Sequence, residues 1–360
     1  MSKHIKGNFL KIEKQMKSLP WYVEEYIDHK SRRLSSASLL NYVHDYNIFF
    51  DWITSEEIFK GKPTEVTLDT LETLTIRQIE SFLKFLVHRL DNKEVTVNRK
   101  ISSLKSLFNY LQNIAETQEL KPYIQRNVMA KIEFYDLKND QETLANKMEG
   151  KILQGKEYSD FRMFIAYGYG QLHKNNKKKY NFHLQNRERD TALVSLILGS
   201  GLRLSEIANL DIDDIDFNKN TLRVIRKGNK EQYVYFSTQA MSDLNSYLDI
   251  RKEKYKIDIK NKALFIAASM GPQGTTRRLS ARAIEKLVEK YAKDFGKPAL
   301  TVHKLRHSFA SKYHLEINDV PKLRKQLGHS SIQTTMIYTH FKNTDLKDAV
   351  EKMDISDNNK

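Results

Sequence analysis

The C-terminal third of the chain carries side chains that together are able to attack a phosphodiester without a metal ion. Tyr338 offers a phenol nucleophile, nine residues after His329 and downstream of the cluster His303-Lys-Leu-Arg306-His307. Breaking a phosphodiester requires a nucleophile, stabilisation of charge on the nonbridging oxygens and a proton for the departing 5′ oxygen. These residue types therefore predict the chemistry of cutting and rejoining nucleic acid strands.

Two arginines are the candidates for holding the phosphate. They are Arg203, within Ser200-Gly-Leu-Arg-Leu-Ser-Glu206, and Arg306. A planar guanidinium suits this task because it donates two hydrogen bonds to phosphate oxygens and stays charged at any working pH. Glu206 follows Arg203 by one helical turn and is expected to orient it.

The histidines are expected to lie beside these arginines. On a predicted helix over residues 302–314, His303 and Arg306 are one turn apart and His307 is one residue further, so all three project from one face. A single histidine more often packs or caps locally, and for His307 both interpretations stay open. Gly328 is predicted to end a helix in a left-handed conformation, which leaves His329 in a tight corner where it can donate to a phosphate oxygen.

Tyr338 is the candidate nucleophile and Lys227 the candidate acid. A phenol has a reference pKa of about 10, and nearby cations make the phenolate less costly to form. Its attack would give a covalent phosphotyrosyl enzyme that conserves the energy of the broken bond, so we expect no cofactor. Lys227, at the tip of a predicted β-hairpin, is the candidate acid for the leaving oxygen. The alternative interpretations are that Tyr338 is an ordinary tyrosine of the core and that Lys227 is an ordinary lysine of a surface turn.

Composition agrees with a large polyanionic partner. The 360 residues carry a formal charge of +15, which favours nucleic acid over an anionic membrane surface, and length and apolar content predict two or three globular domains. The absence of cysteine excludes disulfides and thiol nucleophiles. The N-terminus lacks an apolar signal core, and the stretch 192–202 is shorter than the roughly 20 residues that span a bilayer, so a cytoplasmic, soluble protein is expected.

The first half of the chain is predicted to be helical. Apolar positions three and four residues apart indicate helices near Ser38–Ile53, capped by Ser35 or Ser36, and near Ile76–Leu90. The segment 96–108 buries its apolar side chains and is expected to turn three cations outward, against DNA phosphates: Arg99, Lys100 and Lys105. A solvated helix face is the alternative for these cations.

The second half mixes helices and strands. The basic run His173–Tyr180 interrupts the helical periodicity and is predicted to be an interdomain linker. The segments 221–226 and 231–236 flank Lys227-Gly228-Asn229-Lys230 and predict a β-hairpin. Further helices are expected near residues 188–198, 203–210, 239–255, 281–295, 302–314 and 320–327, with a final one from about Ser330 that carries Tyr338.

These residues resemble the tyrosine recombinase (phage integrase) family, whose motif is Arg, Lys, His-x-x-Arg, His and Tyr in that order. Arg203, Lys227, His303 with Arg306, His329 and Tyr338 fill all six positions. The resemblance implies a mainly α fold with a small antiparallel β-sheet, arranged as a two-domain C-shaped DNA clamp. Residues 16–121 would form a helical core-binding domain, residues 122–168 additional helices and linker, and residues 169–354 the mixed α/β catalytic domain with a C-terminal exchange tail.

Within this family the chain resembles the XerS-like group of Xer recombinases, which act as a single recombinase protein. The resemblance lies in the segment Leu19-Pro-Trp-Tyr-Val-Glu-Glu-Tyr26, in the helix from Asn41 to Trp52 and in the overall length. The resemblance implies a homo-tetramer on double-stranded DNA with paired recombination sites and a 3′-phosphotyrosyl intermediate. It also implies resolution of chromosome dimers at a terminus-proximal site and activation by a septal DNA translocase of the FtsK-like kind. The tail from Thr344 to Met353 would dock on a neighbouring protomer, or fold back on its own domain.

Four other functions compete with this interpretation. The first is a metal nuclease, whose ligands would come from the acidic stretch Asp211-Ile-Asp213-Asp214-Ile-Asp216. Asp216 stands where a calcium loop needs glycine, so we expect no metal site. We interpret the stretch as a solvated connection. A noncatalytic DNA-binding protein would share the basic charge. An integrase or transposase of a mobile element, and a type IB topoisomerase, would share the chemistry.

Overall fold

The computed structural model describes residues 3–137, 148, 150–226, 230–258, 260–267, 276–329 and 331–340, without the side chains of residues 3–6, 339 and 340. The chain divides into two compact units, Met1–Lys138 and Asn139–Lys360. Lys227 and the predicted tail Thr344–Met353 lie outside the described residues. No helix in the described ranges is long and apolar enough to cross a membrane.

The first unit is built from α-helices. They are α1 (Lys3–Met16), α2 (Trp21–Ser31), α3 (Ser36–Ser55), α4 (Leu68–Thr73), α5 (Ile76–His88) and α6 (Glu94–Asn113), with 3-10 turns at Pro63–Glu65 and Val128–Lys131. The Ser35 side chain accepts from the Ser38 amide at 3.2 Å and caps α3, as predicted. The predicted helices at 38–53 and 76–90 are thus confirmed with shifts of about two residues at their ends.

Aromatic side chains from α3, α5 and α6 form the centre of this core. Phe49 packs edge-on against Phe82 and Phe108, with ring centroids 5.2 and 6.3 Å away. The apolar positions of α6 also face this core, as its spacing predicted. Burial of these large side chains supplies most of the stabilisation, because apolar area removed from water contributes about 25 cal/mol per Å².

The expectation that α6 turns its cations outward is wrong for Lys100. Its side chain is 4% exposed, and its ammonium lies 3.0 Å from the fully buried Asp45 carboxylate of α3. Arg99 donates to the same carboxylate and stays 41% exposed, whereas the Lys105 ammonium lies 5.1 Å from the Phe134 ring centroid. A buried carboxylate needs paired cations, and this requirement outweighs the solvation of Lys100.

Replacing Asp45 with alanine should therefore destabilise the protein by about 3–5 kcal/mol, since it leaves the Lys100 ammonium buried without a counter-charge. Urea unfolding of the full chain measures this change. The control is Glu119→Ala, which breaks an exposed pair with Lys121 and should cost below about 1 kcal/mol. Equal effects of the two substitutions would contradict the structural role of Asp45.

The second unit combines helices with short strands. The helices are α7 (Glu157–Met163), α8 (Tyr169–Leu172), α9 (Lys177–Ser200), α10 (Leu204–Asn209), α11 (Thr238–Tyr255), α12 (Ala281–Asp294), α13 (Val302–Ile317), α14 (Val320–Leu327) and α15 (Gln333–Met336), with a π-helical turn at Phe164–Gly168 and 3-10 turns at Ile212–Asp214 and Ile337–His340. The strands are β1 (Ile215–Asp216), β2 (Thr221–Arg226), β3 (Lys230–Tyr235), β4 (Ile266–Ala267) and β5 (Arg277–Arg278).

The strands form antiparallel sheets in the order β1-β2-β3 and β4-β5. In the hairpin, Leu222 pairs with Val234 and both side chains are buried, whereas Arg223 and Tyr233 face outward. This alternation is the period-two pattern that predicted the hairpin. The prediction of a mainly α-helical fold with a small antiparallel sheet is confirmed.

The prediction of an interdomain linker at residues 173–180 is wrong. Helix α9 begins at Lys177 with the Asn176 side chain accepting from the Lys179 amide at 3.1 Å, and the two units divide between residues 138 and 139 instead. The lysines of this first turn are exposed, and lysine is a good helix former, so polarity interrupts the apolar pattern without interrupting the helix. Most of α9 beyond residue 188 is buried at the centre of this unit.

Candidate active site

The two predicted arginines meet at the C-terminal end of α14. Arg306 is buried and donates to the carbonyls of Leu327 at 2.7 Å and Gly201 at 2.6 Å. Arg203 donates to the Gly328 carbonyl at 3.0 Å and to Glu206 Oε1 at 2.8 Å. The last carbonyls of a helix lack intrahelical partners and carry its negative dipole end, so they attract and orient guanidinium groups. The end of α14 thus gathers the cations before any phosphate is bound.

Glu206 contacts Arg203 twice. Besides the contact with the guanidinium, its other carboxylate oxygen accepts from the Arg203 backbone amide at 2.9 Å, at the start of α10. The Glu206 side chain is 4% exposed, whereas that of Arg203 is 37% exposed. Glu206 and the Gly328 carbonyl therefore hold the two terminal nitrogens of the guanidinium, while the Arg203 side chain stays partly exposed.

A third arginine, Arg226, belongs to the same cluster and was missed by the sequence analysis. It donates to the Gln326 carbonyl at 2.8 Å, and its Nε lies 3.5 Å from Glu206 Oε1. Its Nε and Nη1 are buried, and no hydrogen-bond partner is found for them within the described residues. The strand alternation was an available signal, because Arg226 shares the inward side of β2 with Leu222 and Val224.

The corner after α14 depends on Gly328. Its φ of +62° is the left-handed conformation that was predicted for it, and its carbonyl receives Arg203. A Cβ at this position would overlap the Arg226 guanidinium. Glycine is therefore required here both for the backbone conformation and for the close approach of an arginine.

Substituting Gly328 with alanine should lower the rate of DNA cleavage by about 10²-fold or more, because displacement of the arginines from the corner misplaces the groups that are predicted to hold the phosphate. The matched control is Gly296→Ala, where φ is +87° and no atom lies within 4 Å of an added Cβ. The control carries the same kind of backbone strain, about 1–2 kcal/mol, without the overlap. Comparable cleavage by the two variants, measured per folded molecule, would refute the importance of this contact.

His329 lies in the corner as predicted. Its Nδ1 is 3.0 Å from Thr335 Oγ1, in the helix α15 that follows. Burial, and then the charges of Arg306 and Arg203, lower the pKa of His329 to about 4, so the ring is neutral at neutral pH. Because the Nδ1 of this neutral ring contacts a hydroxyl, Nε2 is the nitrogen that remains for another hydrogen bond.

Two clefts open beside the arginine cluster and share Arg203. One, of about 730 Å³, is also lined by His303 and Arg306. The other, of about 800 Å³, is lined by Arg226 and His329. The predicted phosphate-binding side chains therefore line adjoining spaces of the same unit.

Tyr338 lies beside the arginine cluster in a buried position. Its side chain is 1% exposed and packs with Ala310, Leu323 and Leu327. Burial raises the pKa of Tyr338 well above its ordinary value, whereas the charges of Arg306 and Arg203 lower it. The positive charges of the two arginines thus oppose the effect of burial on the phenol.

The phenol oxygen contacts a histidine that sequence reasoning left ambiguous. Tyr338 Oη lies 2.7 Å from His307 Nδ1, and the His307 ring packs edge-on against that of His303 with centroids 4.3 Å apart. The contact between the His303 and His307 rings agrees with the expectation that these two side chains project from one face of α13. Helix α15 has four residues and begins at Gln333, and Tyr338 lies in the 3-10 turn Ile337–His340 that follows it, so the prediction that a final helix from about Ser330 carries Tyr338 is wrong. Such short turns carry too little periodicity to recognise in sequence.

The carboxylates of the acidic stretch 211–216, which was considered as the site of a metal nuclease, form ion pairs. Its carboxylates pair as follows: Asp211 with Arg278, Asp213 with Lys262, and Asp214 with Arg223. Within the ranges that the structure describes, no group of three or more His, Asp or Glu side chains is arranged to hold a metal ion. These ion pairs connect the segment that leads into β1 with neighbouring strands and loops.

Comparison with known proteins shows which proteins this chain resembles. The model of the phage integrase family matches residues 171–344. The chain is 37% identical over 357 residues to the "Tyrosine recombinase XerS" of Streptococcus agalactiae serotype III (strain NEM316), covering 95% of this chain and 98% of that protein. The XerS protein of Streptococcus pyogenes serotype M6 (strain ATCC BAA-946 / MGAS10394) matches with the same identity and coverage.

A solved structure shares the fold. The XerH site-specific recombinase bound to a palindromic difH substrate, in a post-cleavage complex, superposes with a TM-score of 0.65 at 21% identity, covering 96% of this chain and 88% of that one. The chain therefore belongs to the tyrosine recombinase (phage integrase) family and is an enzyme, a site-specific tyrosine recombinase of the Xer type.

Proposed function

We propose that this recombinase cuts and rejoins double-stranded DNA through a 3′-phosphotyrosyl intermediate on Tyr338. The observation that carries the proposal is the convergence of Arg203 and Arg306 on the end of α14, beside the buried phenol. Guanidinium groups held in place before substrate binds can stabilise developing charge without reorganising during the reaction.

The phosphate is proposed to bind against the arginines where the two clefts adjoin. Arg306 uses two of its nitrogens on backbone carbonyls, and a guanidinium has five N–H donors, so further donors remain for nonbridging oxygens. Arg203 is partly exposed and lines both clefts, and His303 and His329 add hydrogen bonds to the phosphate. Lys227, which follows Arg226 in the sequence and lies outside the described residues, is proposed to protonate the 5′ oxygen.

A nicked suicide substrate tests the reaction. A DNA carrying a nick just beyond the cleavage position loses its 5′-hydroxyl fragment after cutting, so the covalent complex accumulates. Proteolysis followed by mass spectrometry should find the DNA 3′ phosphate on the peptide containing Tyr338. Absence of protein-linked DNA on every cognate site, attachment at another residue, or loss of cleavage on adding a chelator would overturn the proposal.

The partner is proposed to be a duplex with paired recombination sites, bound by a homo-tetramer in the cytoplasm. Residues 16–121 would act as the core-binding domain, with the partly exposed Arg99 and Lys105 close to phosphates, and residues 169–354 as the catalytic domain. Phosphate contacts of this kind position a protein on DNA without specifying bases.

The biological role is proposed to be resolution of chromosome dimers, which rests on likeness to the XerS relatives over nearly the whole chain. Footprinting across the host chromosome should find one site near the replication terminus, and recombination there should fall when an FtsK-like septal translocase is deleted. A site at the end of a mobile element would favour integration or transposition instead. Relaxation of supercoils by a monomer without paired sites would indicate a topoisomerase.

A further inference from the structure

We propose that His307 is a catalytic residue that accepts the phenolic proton of Tyr338 during attack on the phosphodiester. The inference deepens the proposed function and rests on it. It separates the task of activating the nucleophile from the task of holding the phosphate, which the other cluster residues perform.

Direct contact carries the assignment. Tyr338 Oη and His307 Nδ1 are 2.7 Å apart, within the distance that a proton transfer requires. Arg203 and Arg306 cannot perform this task, because a guanidinium has no acceptor. His303 packs its ring against that of His307, and His329 has its Nδ1 3.0 Å from Thr335 Oγ1.

The side chains around His307 keep it able to accept. Burial, and then the neighbouring His303, Lys304 and Arg306, lower the pKa of His307 to about 3. The ring is therefore neutral at neutral pH, and its Nδ1 lone pair can take the phenol hydrogen bond. A bound phosphodiester brings negative charge that opposes the same cations, which raises the affinity of His307 for a proton when attack begins.

The same contact accounts for the buried phenol. Tyr338 is 1% exposed, and burial favours its protonated form. The hydrogen bond to His307 keeps the hydroxyl directed into the histidine group rather than into the apolar side chains of Leu323 and Leu327. Transfer concerted with attack avoids forming a free buried phenolate, whose desolvation would be costly.

The proton balance is complete within the chain. As the bond from Tyr338 Oη to phosphorus forms, the phenolic proton passes to His307 Nδ1 and the bond from phosphorus to the 5′ oxygen breaks. Lys227 gives its proton to that oxygen. In rejoining, the incoming hydroxyl returns its proton to Lys227, and His307 returns its proton to the departing phenol oxygen.

A suicide substrate whose 5′-bridging oxygen is replaced by sulfur separates the two proton transfers, because a thiolate leaves without an acid. We expect His307→Gln to lower the cleavage rate about 10²–10⁴-fold on both the oxygen and the sulfur substrate, the range typical of a lost general base. Lys227→Ala should lose cleavage on the oxygen substrate and recover it on the sulfur substrate. His314→Gln, which changes another buried histidine of α13, is the matched control and should cleave both at nearly the wild-type rate.

Further outcomes would contradict or support this assignment. Cleavage of the sulfur substrate by His307→Gln within about threefold of wild type, or recovery of His307→Gln on sulfur alone, would overturn it. If His307→Gln is unstable, His307→Ala with added imidazole replaces it, and restored cleavage supports the assignment whereas none overturns it. Failure of wild type to form any covalent complex would instead refute the proposed function.

Discussion

Replacing Tyr338 with phenylalanine is expected to abolish protein-linked DNA on the nicked substrate, a loss of at least about 10⁴-fold, because it removes the atom that attacks phosphorus. The ring would keep its packing against Leu323 and Leu327, so the apolar core around it should remain intact. The lost hydrogen bond to His307 should change the free energy of unfolding by only about 1 kcal/mol. DNA affinity should stay close to that of wild type, since phosphate contacts by other side chains supply it.

The control is Tyr313→Phe, which removes a hydroxyl from a partly buried tyrosine packed against the same apolar cluster. It should form the covalent complex at close to the wild-type rate. Gel-shift titration and thermal unfolding of both variants separate chemistry from binding and stability. Covalent complex formation by Tyr338→Phe would mean that another side chain is the nucleophile.

Substituting Arg306 with lysine should lower cleavage by about 10²–10³-fold, the cost typical of removing one donor that stabilises transition-state charge. Burial, followed by the charge of Arg203, lowers the pKa of Arg306 to about 10, which still leaves it charged at neutral pH. A lysine ammonium cannot reproduce the planar fork that bonds Gly201 and Leu327 and also reaches a phosphate. The substitution therefore preserves charge and tests geometry.

The matched control is Arg251→Lys. Arg251 is also buried and donates to backbone carbonyls, those of Leu264 at 3.1 Å and of Ala263, but it lies away from the clefts. Its substitution should lower stability without lowering the cleavage rate per folded molecule. If Arg306→Lys cleaves within about tenfold of wild type while staying folded, its guanidinium is not the main stabiliser of the phosphate.

Local chemistry accounts for what could be predicted of the fold. Ser35 caps α3 and Gly328 ends α14 because their interactions involve backbone a few residues away, which a sequence displays directly. The hairpin was recognisable because inward and outward side chains alternate along β2 and β3. Polarity gave a wrong prediction where tertiary packing buries a charged side chain that would otherwise face solvent. Lys100, which pairs with the buried Asp45 carboxylate, is the example.

The sequence by itself determined which residue types are available for cutting DNA, their order along the chain and the elements that carry them. Only the tertiary structure decided which groups touch, namely that Arg226 joins the end of α14 beside Gly328 and that the Tyr338 phenol meets His307. These contacts join positions 31 to 100 residues apart. Helix and strand periods constrain only near neighbours, whereas the packing of whole elements brings such distant groups together.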